Sequence, residues 1–318
     1  MKRILPYCLL SCLLSASCSR DNADTTEYNP MPIERIDLAV AGYPATAGEI
    51  DTLEPGIDLY VQLMSADTVD LDAALRALSQ SRVTQLFGRD IIERFTAADS
   101  LARPLGRVAA RLAELSPELK VARLYGIASP YMQSVIVSDS IVFVALNHYL
   151  GSDYAGYETM PAFVRRGKTP SRLPSDVAEA VVRVAYPYTP VEGTLLERML
   201  YEGAVAETVT LASGDDTTGL NAAEHESADS QLRAAWLALA SDGMLYSTAD
   251  NEIARLIDPA PFARVGSLEL PAQIGRYIGL RIIRSYLKNN PGTQPVEMLQ
   301  NSFYGRPQER LIESKFSV

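Results

Sequence analysis

Three cysteines and two histidines make up the whole thiol and imidazole stock of this 318-residue chain. Cys8, Cys12 and Cys18 fall at the amino terminus, and His148 and His225 stand 77 positions apart, outside any ligand motif. That stock excludes a disulfide scaffold and most zinc architectures, which draw several Cys or His ligands from short spacings. Cys18 carries a chemistry of its own. It follows Ser15-Ala16-Ser17, small residues that match the site at which a lipoprotein signal peptidase cuts before a cysteine that becomes diacylated. Ser15 stands where the usual box has Leu, and Leu9-Leu10-Ser11-Cys12 is a competing box with too short an apolar core. An ordinary secretory cut near Ser17 is the plainer alternative. Nucleophilic catalysis has little support, since there is no Gly-x-Ser-x-Gly elbow and neither histidine is placed for a triad. His148 closes a β-branched run and reads as structural. His225, in Ala223-Glu224-His225-Glu226-Ser227, reads as solvated in a loop-like stretch.

The elements around these residues follow from composition and pattern. The chain is 47% hydrophobic and 21% charged, which describes a folded body. Its net charge of −10 repels phosphate backbones, so general nucleic-acid binding is disfavoured. Met1-Lys2-Arg3 and the short apolar run to Leu14 form a signal peptide, residues 1–17. Residues 18–31 are polar and acidic and read as a flexible tether, and 32–318 as one domain. Ile33 to Leu38 suits a half-buried strand, and Ser134–Val137 with Ile141–Leu146 a β-hairpin around Ser138-Asp139-Ser140. Asp70–Leu86 has helical spacing, as does Ile91–Leu115 with an interruption near Pro104. Further helices are expected over Ser175–Tyr186, Thr194–Ala212, Ser230–Asp242, Ala249–Leu256, Ile274–Lys288 and Val296–Phe303. The fold class is α+β, predominantly helical with a small antiparallel sheet. Gly275 and Gly279 lie inside one of these helices, where small residues permit close packing and no phosphate loop is formed. Arg276, Arg281, Arg284 and Lys288 on that helix could pair with acidic neighbours or a partner, and a solvated face is the plainer expectation. Tyr149, Tyr154 and Tyr157 suit either a recognition surface or the boundary of a core.

Several stretches together resemble the gliding motility-associated lipoprotein GldB family. The strongest is Pro271 to Asn290, where Gly275, Gly279, Ile282-Ile283, Ser285-Tyr286 and Asn289 match the family's pattern, Ile283 replacing a more usual Val. Tyr149-Leu150-Gly151-Ser152-Asp153-Tyr154, Trp236, Leu245 to Asp250, Arg255 to Phe262 and Ile33 to Asp37 add to it. The family is similar in turn to zinc metallopeptidases with a His-Glu-x-x-His helix and a downstream Glu. This implies a zincin-like domain in which Glu179 keeps the general-base position and Glu202, in Glu202-Gly203-Ala204-Val205-Ala206, the third-ligand position. Both imidazoles are replaced, by Ala178 and Val182. Carboxylates without imidazole or thiolate make a poor zinc site, so no metal and no cofactor is expected. Glu179 and Glu202 remain the candidate pair, for a glycan or calcium. The plainer reading makes Glu179 a solvated helix face and Glu202 a remnant held by hydrogen bonds. The resemblance implies a lipid-anchored, non-catalytic envelope protein that binds a partner in gliding-motility or type IX secretion-related machinery. Alternatives are an envelope hydrolase or a peptide-binding module using the inherited cleft. Ser19, in place of the Asp that favours inner-membrane retention, points to the outer membrane.

Overall fold

The structure, a computed structural model, describes residues 27–64, 70–96, 99–215 and 217–318. Cys18 and the signal peptide lie outside the described residues, as does most of the tether. The part of the tether that is described, 27–31, runs along a helix of the body: Met31 N–H donates to Ala102 O at 2.8 Å, and the Tyr28 hydroxyl accepts from Arg111 Nε at 3.2 Å.

In chain order the elements begin with β1 (Glu34–Arg35), α1 (Ile36–Gly42), α2 (Gly56–Met64), α3 (Leu71–Ser79), α4 (Arg82–Arg94) and α5 (Asp99–Leu115). The strands β2 (Arg123–Ile127), β3 (Val135–Ser138) and β4 (Ile141–Ala145) follow. Then come α6 (Ala162–Arg165), α7 (Leu173–Ala185), α8 (Leu195–Ser213), α9 (Ala222–Ser241) and α10 (Asp250–Ile257). The chain closes with β5 (Ala263–Val265), β6 (Leu268–Leu270), α11 (Ile274–Asn289), α12 (Asn301–Tyr304) and α13 (Pro307–Ser314). This is the expected helix-rich α+β fold. β5 and β6 form a small antiparallel sheet, and the expected hairpin is β3–β4, with Val137 opposite Val142. That hairpin belongs to a larger mixed sheet of order β1-β2-β4-β3, in which β2 runs parallel to both β1 and β4.

The mixed sheet is buried on both faces. Leu124, Val142 and Val144 point into the main core, while Tyr125, Ile127 and Phe143 point into a second cluster against α1, α2 and α3. The period-two alternation of β-strands produces this division. β2 escaped the sequence reading because Arg123-Leu124-Tyr125-Gly126-Ile127 is short and alternates between two apolar faces. Ile33–Leu38 is corrected: only Glu34–Arg35 pairs, and Ile36 starts a helix. Asp70–Leu86 is two helices, because the Ser81 side chain accepts from Thr84 N–H and starts α4 anew. The break expected at Pro104 falls before Asp99 instead, and Pro104 sits within α5.

α8 is the central helix. The Thr194 side chain accepts from Glu197 N–H at its start, and Gly214, left-handed at φ 80, ends it. It is buried nearly all round, as a core helix must be. α11 crosses it at Gly203 and Gly279, where a Cβ on Gly279 would overlap the Met199 carbonyl oxygen. Close packing is therefore what the Gly275–Gly279 spacing provides.

Candidate functional site

α7 carries Glu179 and Arg183 one turn apart, α8 carries Glu202 and Arg198, and α11 carries Arg276. Packing of these three helices brings the five charges into one network. Arg183 Nη2 donates to Glu179 Oε1 at 2.8 Å and to Glu202 Oε2 at 2.6 Å. Its Nη1 donates to Glu202 Oε1 at 3.1 Å and its Nε to Glu179 Oε1 at 2.9 Å. Arg276 grips Glu179 with two bonds, Nη1 to Oε1 at 3.0 Å and Nη2 to Oε2 at 2.9 Å. Arg198 approaches Glu202 Oε1 at 3.0 Å and lies over the Tyr188 ring, 4.5 Å from its centroid. Charges alternate along the line Arg276, Glu179, Arg183, Glu202, Arg198.

The electrostatics follow from this order. Burial works against the charge of Glu179, but the guanidiniums of Arg276 and Arg183 overcome it and hold its carboxyl at about 2. Burial likewise opposes the charge of Glu202, and the Arg183 hydrogen bonds, with Arg183, Arg276 and Arg198 as neighbouring charges, hold it below the usual carboxylate range. Both groups are therefore ionised, and their oxygens are occupied by donors. A carboxylate held at about 2 is a weak proton acceptor at neutral pH, which disfavours Glu179 as a general base.

Two sequence expectations change here. Glu179 is not on a solvated face, because Arg276 reaches it from a helix 97 positions away. Arg276 is only 6% exposed, so the basic face of α11 is not uniformly solvated. The other arginines of that face pair outward, Arg281 with Asp229 and Arg284 with Glu207. Glu202, 2% exposed, is held by hydrogen bonds. Ala178 and Val182, where the resemblance sets the lost imidazoles, are fully buried in the main core.

Glu179, Arg183 and Arg276 form part of the wall of a cleft of about 760 Å³, within the usual size of ligand pockets. Its floor continues the charged pattern. Asp176 accepts from the Tyr149 hydroxyl at 3.0 Å and from Arg172 Nη2 at 3.2 Å. Burial pushes the Asp176 carboxyl up, against the opposing pull of Arg172 and Tyr149. Phe163, Val164 and Leu220 supply apolar wall. Glu202 sits behind this lining, so the two candidate carboxylates are joined through Arg183 without sharing the open space.

The histidines do not converge on the site. His148 follows β4 in a short 3₁₀ turn, as a structural residue should, with Nδ1 3.0 Å from Ser134 Oγ. Burial and the nearby Lys168 charge lower its pKa to about 4. His225 is in α9 and not in a loop: Asn221 and Glu224 form a capping box that starts the helix earlier than expected. Its Nε2 lies 3.1 Å from Thr218 Oγ1, and its ring packs edge-on against Tyr277. Among the described residues, no three His, Cys, Asp or Glu side chains are grouped to hold a metal ion. Tyr149 and Tyr157 are buried and so belong to the core, with Tyr157 donating to Asn147 O.

Arg183, Arg198, Arg172 and Asp176 are the site residues that sequence reading missed. The spacings Glu179–Arg183 and Arg198–Glu202 were a legible helical signal. Among the described residues no helix is long and apolar enough to cross a membrane. Neither a curated protein nor a solved structure matches the chain. The family model described as gliding motility protein GldB does match, over residues 18–317, from the candidate lipidated cysteine to the end of the folded body. With nearly the whole chain covered, the arginine-bridged carboxylates and the glycine crossing of α8 and α11 are features of a member of the GldB family of gliding motility proteins.

Proposed function

We propose that this protein is a non-catalytic component of the cell envelope, anchored to the outer membrane through a lipid on Cys18. In this reading it is a degenerate metallopeptidase-like domain that binds a partner protein of gliding-motility or type IX secretion-related machinery. The observation that carries the reading is the Arg183 bridge between Glu179 and Glu202. A hydrolase built on Glu179 and Glu202 needs one of them free to accept a proton or bind a metal, and here each carboxylate is occupied by two guanidiniums. Family membership supports the envelope and motility setting.

The test has two parts. Metal analysis of the purified full-length protein should find no stoichiometric zinc, and a peptide substrate should survive incubation with it. Crosslinking in the native envelope should then recover a partner in stoichiometric yield. Bound zinc together with peptide cleavage would replace this reading with a hydrolase.

A further inference from the structure

The tether meets the folded body beside a group of arginines far from the glutamate network. Residues 27–31 run along α5 against the direction of the helix: Met31 N–H bonds Ala102 O, Asn29 O lies over Gly106, and the Tyr28 hydroxyl bonds Arg111. A Cβ on Gly106 would collide with the Asn29 carbonyl, so glycine is what lets the tether lie this close. The chain is thus fixed to α5 as far as Tyr28, ten positions from Cys18. Ten residues at full extension reach about 35 Å. A lipid on Cys18 therefore keeps this face of α5 within that distance of the bilayer.

α5 carries Arg103, Arg107 and Arg111 at successive turns of that face. Arg111 is engaged, by the Tyr28 hydroxyl and by Leu211 O at 3.0 Å. Arg103 and Arg107 line a hollow with Tyr28, Asn29 and Pro30, and Glu27 is the carboxylate among its described lining residues. Arg103 is exposed, and among the described residues it has no hydrogen bond or ion pair. Arg107 makes one hydrogen bond, from Nη2 to Ser213 O at 2.8 Å, and its Nε is buried without a partner. A guanidinium has five N–H donors, so most donors of this pair are unused. Leu211, whose carbonyl Arg111 bonds, is 40% exposed and adds apolar surface beside them.

We infer that Arg103 and Arg107 form a docking face for the phosphate headgroups of anionic lipids in the membrane that holds the anchor. The short tether keeps both arginines near the headgroups, and guanidinium forks match phosphate oxygens. The chain as a whole carries −10, so an anionic surface repels most of the body and attracts this basic face. Docking lays α5 against the bilayer and gives the body one pose where the tether alone would allow many. The inference rests on the lipid at Cys18 and adds an orientation to it.

The test uses the lipidated protein with Asn29→Cys labelled by bimane, reconstituted into vesicles that contain a headgroup spin-labelled lipid as quencher. The vesicles are phosphatidylcholine alone or phosphatidylcholine with phosphatidylglycerol. An arginine at an anionic surface is worth about fivefold, so the pair favours the docked pose by about twenty-five-fold. Quenching should therefore be at least about twofold stronger with phosphatidylglycerol. Arg103→Gln combined with Arg107→Gln should abolish the difference. So should about 1 M salt with both arginines in place, where the Debye length is about 3 Å. Equal quenching in the two vesicles, or a difference that survives either treatment, overturns the docking face. A difference that emerges only with Asp21→Asn and Asp24→Asn also overturns it, because the tether's own carboxylates would then be the occupants. Flotation of every sample separates this inference from the anchor: protein that floats without the quenching difference keeps its lipid and lacks the contact, whereas protein that does not float has lost the anchor and the docking face with it.

Discussion

Arg183 and Glu202, nineteen positions apart in sequence, are joined by two hydrogen bonds of 2.6 and 3.1 Å, and the same guanidinium holds Glu179. Removing it leaves a buried carboxylate with Arg198 as its remaining close partner. Arg183→Met should therefore destabilise the fold by about 2–3 kcal/mol, the cost of stranding a buried charge that keeps one counter-ion. Urea denaturation at neutral pH measures this. A change within experimental error would show that solvent replaces Arg183.

The two glutamates set an acid limit. Glu179 is held at about 2 against an ordinary value of 4.5, and Glu202 is lowered as well. A depressed carboxyl stabilises the fold fully above its unfolded value, and that contribution is lost as pH falls through the folded one. Urea midpoints should drop between about pH 4.5 and about pH 2. Glu179→Gln should be less stable at neutral pH and show a shallower acid decline.

His148 acts at higher pH. Its folded value of about 4 lies below the ordinary 6.5, so the unfolded chain binds the proton first as pH falls. Stability from the neutral imidazole is complete above about pH 6.5 and is lost down to about pH 4. Proton NMR should show the His148 ring titrating near pH 4. His148→Gln, which can still bond Ser134, should flatten the stability curve across that interval.

The α8–α11 crossing tolerates no side chain at its centre. Gly279→Ala would press a methyl into the Met199 carbonyl, and a cost of about 3 kcal/mol or more is expected from overpacking two core helices. Gly48→Ala, where a Cβ meets nothing within 4 Å, should stay within about 0.5 kcal/mol of the parent. Thermal unfolding of the two variants side by side reads the contrast.

Cys18→Ala should move the protein from the membrane fraction to the soluble fraction of lysed cells. Retention of the variant in membranes would contradict lipid anchoring at that residue.

Much of the helical framework was legible, because local rules write it. Thr194 before an apolar run announces α8, Pro271 to Asn290 outlines α11, and β-branched residues around Ser138-Asp139-Ser140 mark the hairpin. Errors arose where a local signal competed with a tertiary one. Ile36 continues a strand pattern in sequence but turns into a helix against the second apolar cluster. β2 gains its identity only from β1 and β4, which flank it in parallel, and parallel partners leave no turn in the sequence to betray them.

The site divides in the same way. The resemblance carried by the sequence singled out Glu179 and Glu202, with Ala178 and Val182 where it implies imidazoles, since laying a motif on a chain needs residue identity and order alone. Arg183, one helical turn from Glu179, was missed although its spacing is written in the chain. What the carboxylates do depended on Arg276, brought 97 positions along the chain by the glycine crossing of α8 and α11. The reason is range: helix periodicity acts over about one turn, whereas the charge state of a buried group is set by whichever ions the folded chain packs within a few ångströms of it.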